Sequence, residues 1–264
     1  MCPVCEAHGL TIVRARTVDY SRAQARADFQ RARMAERAYA TSLRHIARLI
    51  GQLVRAMDPS TFEGAGMIRS ALETYSETLK PWARSVASKM IADVAARNKR
   101  EWRKVSSTIG TDIQRQIDQT PVGAAFERLM AQQVDLITSL PREAAQRVHK
   151  LAMEAQVDGG RAKEIVAEIM RTGEVTKSRA ELIARTEVGR ASTVLTQVRA
   201  QAIGSDGYVW SGTLDGDERQ SHRAMEGKFV RWDSPPTLDG LTGHAGALPN
   251  CRCVCLPVVP DAKY

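Results

Sequence analysis

The sequence predicts an α+β fold, mainly α, with an extended helical N-terminal region followed by a compact helical domain that carries a small β-sheet. Three observations predict it. Over the first half, apolar residues recur at steps of three and four, as on a helix with one buried stripe. Aromatic residues are only 5% of the 264, while 43% are hydrophobic, a balance better suited to helices than to sheets. After Gly204 helical periodicity stops, and Gly, Pro and Asp become frequent.

The first helix is expected over residues 20–57. Leu43, Ile46, Ile50, Leu53 and Met57 form a single stripe, with Arg44, Arg48 and Arg55 off it. Asp58-Pro59-Ser60 ends it, because Pro lacks the N–H donor and disfavours helix in the residue before it. A second helical tract carries Ile68, Leu72, Tyr75, Leu79, Trp82 and Val86, and Pro81 predicts a kink or a restart there. Thr120-Pro121-Val122-Gly123 breaks the pattern. The chain then divides into a basic N-terminal region, residues 1–135, and a C-terminal domain, residues 136–264.

In the second half, Ser139-Leu140-Pro141 reads as a helix start, with a capping hydroxyl and Pro in the first turn. Asp158-Gly159-Gly160 stops that helix, and a shorter one runs to about Arg171, closed by Gly173. Ser178 and Glu181 form a capping box that opens the next helix, which ends at Gly204. Tyr208-Val209-Trp210, the segment from Lys228 to Trp232, and the run from Cys253 to Val259 are the expected strands. With capped helices and the aromatic residues Trp210, Phe229 and Trp232, this part is expected to fold alone. The N-terminal helices are expected to become fully ordered only when docked on a partner.

The net charge is +8 and it is concentrated. Residues 11–110 hold 19 Lys and Arg against 9 Asp and Glu, while the rest of the chain is slightly acidic. A localised positive field points to a polyanion or an acidic protein surface. Its densest part is Arg97, Lys99, Arg100, Arg103 and Lys104, with Trp102 among them. Basic residues around an aromatic can contact nucleic acid; the alternative is that Trp102 packs inward and the charges face water. No run of 18 apolar residues is present, which argues against a transmembrane helix, and the N-terminus lacks the pattern of a secretory signal.

Five cysteines lie at the two ends: Cys2, Cys5, Cys251, Cys253 and Cys255. An odd number at the termini does not make a secreted disulfide framework, and reduced thiols fit better. Cys251, Cys253 and Cys255 recur at the two-residue period of one strand face. Cys251 and Cys253 with His222 are candidate zinc ligands, and His244 could complete the set if its loop folds back. Cys2 and Cys5, with His8 nearby, have the better spacing for metal. Cys255, at the strand end of the run, reads as a small buried hydrophobe. His222 with Asp217 and Arg219 is also compatible with acid–base or nuclease chemistry. Against this, no paired carboxylates or second His at ligand spacing accompany it, and no phosphate-binding Gly loop exists.

Read in order, the C-terminal half gives Arg185-Thr186-Glu187, Trp210, Asp217-Glu218-Arg219 with His222, Gly227-Lys228-Phe229-Val230, Pro235-Pro236 and Pro249-Asn250-Cys251-Arg252-Cys253. This order and spacing resembles the head-morphogenesis domain of phage minor head proteins related to protein F of phage Mu, over about residues 140–259. The resemblance implies an assembly protein rather than an enzyme, with no small-molecule substrate and no membrane. It implies a virion location near the portal vertex after assembly in the host cytoplasm. The implied partners are the portal protein, the major capsid protein or both, and in some members packaged double-stranded DNA. Arg185, Glu187, Asp217 and Arg219 are then structural, with the Arg185–Glu187 segment an ion pair tying its helix to the sheet. Two other readings stay open: a C-terminal nuclease or toxin-like transferase, and a plain DNA-binding protein.

Overall fold

A computed structural model of the chain describes residues 26, 29, 32–109, 115, 116, 118–157, 162–214 and 216–259. Cys2, Cys5 and His8 lie outside the described residues, as do most of residues 20–31 of the first expected helix and the Asp158-Gly159-Gly160 stop. The fold class is as read, mainly helical with a small antiparallel sheet.

The stripe of the first helix, α1 (Arg33–Arg55), is buried as expected: Tyr39, Leu43, Ile46, Ile50 and Val54 turn inward. After the turn at Asp58, where the Ser60 N–H donates to the Asp58 carboxylate at 2.9 Å, Thr61 caps α2 (Phe62–Thr78) by accepting from the Gly64 N–H at 3.0 Å. Pro81 marks a restart, for α3 (Lys80–Ile109) begins one residue before it. In a first turn the missing N–H of Pro would have no helical acceptor anyway.

Three expected helix boundaries are absent. The helix α4 (Gly123–Val157) runs through Ser139-Leu140-Pro141 without stopping. Pro141 deprives one carbonyl of its helical donor. Next to that carbonyl, the buried Ser76 hydroxyl of α2 donates to the Thr138 carbonyl at 2.8 Å. A tertiary hydrogen bond thus ties α2 to α4 beside the proline, within a helix that continues through it. After α5 (Ala162–Met170), the helix α6 (Thr172–Ala202) likewise passes through both Gly173 and the supposed capping box. The Ser178 hydroxyl bonds back to the Glu174 carbonyl at 3.4 Å, a mid-helix habit. Gly173 serves the approach of α1 to α6 instead of a stop. A Cβ there would lie 2.8 Å from the Gly51 Cα.

Beyond Gly204, whose φ is +79°, the chain forms β1 (Gly207–Ser211), α7 (Gln220–Arg223), β2 (Phe229–Arg231), β3 (Thr237–Leu238), β4 (Leu241–Thr242) and β5 (Val254–Pro257). The strand β1 is central and antiparallel to both neighbours, in the order β2-β1-β5, with Tyr208 facing Val230 and Pro257, and Trp210 facing Cys255. The strands β3 and β4 form a separate ribbon. Its two-residue turn, Asp239-Gly240, has positive φ at both residues, the backbone a tight hairpin demands.

The expected boundary at 135/136 falls inside α4. One core cluster runs continuously from α1 to α6, and a second joins Phe29, Trp102 and Val105 to the sheet residues Tyr208, Trp210 and Trp232. The N-terminal helices, expected to await a partner, find one in the same chain: the α1 stripe packs against α6. Among the described residues, no helix is long and apolar enough to cross a membrane.

Candidate functional site

The site grows from three segments held on α6. The α7 turn presents His222, the loop before β5 presents Cys251 and Cys253, and α6 supplies the anchor for that loop. Anchoring needs a glycine. A Cβ on Gly189 of α6 would stand 2.5 Å from the Gly246 carbonyl oxygen. One turn on, the Thr193 hydroxyl donates to the Ala245 carbonyl at 2.6 Å, and the Asn250 N–H donates to the Thr186 hydroxyl at 3.1 Å. Gly189→Ala must push this loop off the helix. We expect a loss of about 2 kcal/mol in thermal or chemical denaturation, since overpacking against backbone cannot relax through a rotamer.

The loop brings two sulfurs onto one ring nitrogen. Cys251 Sγ lies 3.4 Å and Cys253 Sγ 3.6 Å from His222 Nδ1, and all three residues are buried. Both thiols are free. The Gly246 N–H donates to Cys251 Sγ at 3.3 Å. Cys251 is pushed down to about 4, mainly by hydrogen bonding from Cys253 and against the cost of burial, with His222 and the Gly246 and Cys253 amides helping. Cys253 is pushed up, first by the proton it shares with Cys251 and then by burial. The Trp210 ring stands edge-on to His222, with centroids 5.6 Å apart.

The third cysteine takes no part. Cys255 is fully buried, its thiol pushed up by that burial, and it donates to the Ala245 carbonyl at 3.5 Å. It is the small buried hydrophobe expected. His244 does not complete the cluster either. Its loop carries it to Tyr208, whose hydroxyl lies 3.3 Å from His244 Nδ1, and burial lowers its basicity.

Outside the cluster opens a polar cleft of about 530 Å³, lined by Glu36, Arg185, Glu218, Arg219, Asn250 and Arg252 together with the three ligand-type residues. Arg219 donates to the Pro249 carbonyl at 2.9 Å, and Arg252 pairs with Asp217 at 3.6 Å. Arg185 donates to the Asn250 side chain at 3.0 Å. Thus Arg185, Asp217 and Arg219 are gathered around the Cys251 loop. Glu187 is not: it turns the other way, into the helices. It accepts from the Gln133 amide at 2.8 Å and pairs with Arg190 at 3.1 Å, while Gln133 accepts from the Tyr39 hydroxyl at 2.9 Å. The Arg185–Glu187 segment therefore ties α6 to two different neighbours: the loop through Arg185 and Thr186, and α1 and α4 through Glu187.

The basic cluster of α3 divides. Arg97 pairs with Glu101 at 2.9 Å and Lys99 with Asp118 at 2.8 Å, whereas Arg100, Arg103 and Lys104 are exposed. Trp102 packs inward, fully buried, in an edge contact with Phe29 at 5.4 Å. It offers no face for a base to stack on. Sequence reasoning missed Gln133 and Tyr39, partners that lie 54 and 148 residues before Glu187 without any motif to mark them.

Comparison with known proteins bears on the same region. A protein of Haemophilus influenzae, itself uncharacterized, is 29% identical over 200 residues, covering 75% of this chain and 44% of its own length. An Enterococcus faecalis protein described as NAD(+)--arginine ADP-ribosyltransferase EFV is 32% identical over 128 residues, 44% of this chain and 26% of its own length. The chain thus spans less than half the length of each of these relatives. No solved structure matches it. The family model described as "Phage Mu protein F like protein" matches residues 146–256, which run from the last part of α4 through β5 and contain the whole Cys–His cluster and its cleft. Residues 146–256 of this chain are therefore similar to the family of phage Mu protein F-like proteins.

Proposed function

We propose that the protein is a minor capsid, head-morphogenesis protein of a bacteriophage, acting at or near the portal during head assembly or DNA packaging and ejection. The carrying observation is the family match over residues 146–256. The build of the matched region supports it: arginines are spent on carbonyls and side chains of one loop, as suits a rigid attachment module. Partners are then the portal or major capsid protein, with packaged duplex DNA as a further contact. The test is co-expression with portal and major capsid protein, followed by isolation of heads. The protein should sediment with the heads, and its loss should leave defective particles. Full recovery of normal heads without it would overturn the reading.

The exposed end of the basic cluster is the surface that would meet DNA or an acidic portal face. Arg100, Arg103 and Lys104 are exposed on α3, and Arg97 and Lys99 form ion pairs with Glu101 and Asp118. Replacing these three with Gln should weaken duplex binding and flatten its dependence on salt by about two to three counterions, without sequence preference. Electrophoretic or fluorescence titration at several salt concentrations measures this. An unchanged slope would make the cluster a solvated face.

The transferase relative favours one other reading, an enzyme that modifies arginine with NAD. The shared 128 residues are about a quarter of that relative and 44% of this chain. Incubation with labelled NAD and an arginine-rich acceptor decides between them. Label transfer would support the enzyme.

A further inference from the structure

We propose that His222 Nδ1, Cys251 Sγ and Cys253 Sγ bind one zinc ion, with solvent from the polar cleft as fourth ligand. This goes beyond the assembly role and does not depend on it.

Geometry carries the assignment. These three ligand atoms all lie within 4.8 Å of one another. A tetrahedral zinc, with Zn–S near 2.3 Å and Zn–N near 2.0–2.1 Å, holds its nitrogen and sulfur ligands about 3.6 Å apart. The two N···S distances are 3.4 and 3.6 Å. Two sulfurs sit on the same ring nitrogen at nearly equal range, as ligands around one ion do. A shared cation satisfies all three. The donor set, two thiolates and an imidazole, selects zinc over the hard oxygen-seeking cations.

The surroundings are those of a thiolate site. The Gly246 N–H already points at Cys251 Sγ. The indole N–H of Trp210, whose ring stands against His222, is buried without a hydrogen-bond partner. On the far side of the ring, Arg219 is only 3.5 Å from Nε2, and its firm bond is to the Pro249 carbonyl at 2.9 Å. A metal on Nδ1 puts the hydrogen on Nε2, so the long Arg219 contact to Nε2 is given up while the bond to the Pro249 carbonyl stays. Three protein ligands beside an open cleft make a site with an exchangeable fourth position, unlike the closed four-ligand sites of zinc fingers. Such an ion would clamp the α7 turn to the loop before β5, two segments with little regular secondary structure of their own.

The test uses the full chain carrying Cys2→Ser and Cys5→Ser, so that the N-terminal thiols contribute nothing. Protein purified under reducing conditions should hold about one zinc per chain by elemental analysis. Cobalt substituted for zinc should show intense thiolate-to-metal absorption and tetrahedral d–d bands, and added azide should shift those bands because the fourth position is open. His222→Ala and Cys253→Ser should each drop bound zinc below about one tenth of an equivalent, while Cys255→Ser keeps it. If a variant fails to fold, the cobalt spectrum of the unaltered site still decides. Folded protein that takes up neither zinc nor cobalt would overturn the proposal. So would a cobalt spectrum without thiolate bands, or one indifferent to azide.

Discussion

A fragment of residues 136–264 is expected not to fold on its own. Cutting there divides α4 near its middle and removes α1, whose buried Leu43, Ile46, Ile50 and Val54 belong to the same core cluster as Ile183, Val188 and Leu195 of α6. Each fully buried aliphatic side chain is worth about 1.5–3 kcal/mol, so these four contribute on the order of 6–12 kcal/mol. A domain has only about 5–15 kcal/mol of net stability, so the loss is comparable to the whole. The cut also takes Trp102 and Val105 from the aromatic cluster that backs the sheet. Circular dichroism and a thermal melt of the fragment should show no cooperative transition, whereas residues 26–259 should melt as one unit. A sharp, independent melt of 136–264 would refute the account in which the two halves share their core clusters.

Glu187→Ala should be the most damaging single substitution in α6. The side chain is buried between α1 and α4, and its loss leaves the fully buried Gln133 amide without its acceptor. Gln133 also positions the Tyr39 hydroxyl, so the defect reaches α1. An abandoned buried donor costs about 1–3 kcal/mol, and breaking a buried charged pair costs more. Arg190 is about a third exposed, so water recovers part of its share, and we expect a total of about 3 kcal/mol. For a chain of this size that is a fall in Tm of roughly 6–12 °C. Glu187→Gln keeps an acceptor for Gln133 and should cost about 1 kcal/mol. Equal losses in the two variants would mean the negative charge, rather than the hydrogen bond, holds the helices together.

What the sequence disclosed was what is local or periodic. The α1 stripe, the restart at Pro81, the three sheet strands and the halt at Gly204 each follow from a few neighbouring residues. So did the grouping of His222 with Cys251 and Cys253, because the motif order carried the resemblance and the residue types carried the chemistry. What stayed hidden depends on residues far apart. Pro141 reads as a helix start until Ser76, 65 positions earlier, is seen bonding beside it. Gly173 reads as a stop until Gly51 is seen against it. Trp102 sits among five basic residues, and only the fold shows that Phe29 and the sheet cover it. The partner of the α1 stripe was hidden for the same reason: a stripe that needs covering was visible, but not that α6 of the same chain covers it.

The most direct test of the assembly role is a cryo-EM map, without imposed symmetry at the portal vertex, of heads produced with this protein present. The account predicts density into which α1–α6 and the three-stranded sheet fit, in a few copies against the portal or its neighbouring capsid subunits. Heads of normal form whose portal vertex holds no such density, from preparations in which the protein is abundant, would contradict it.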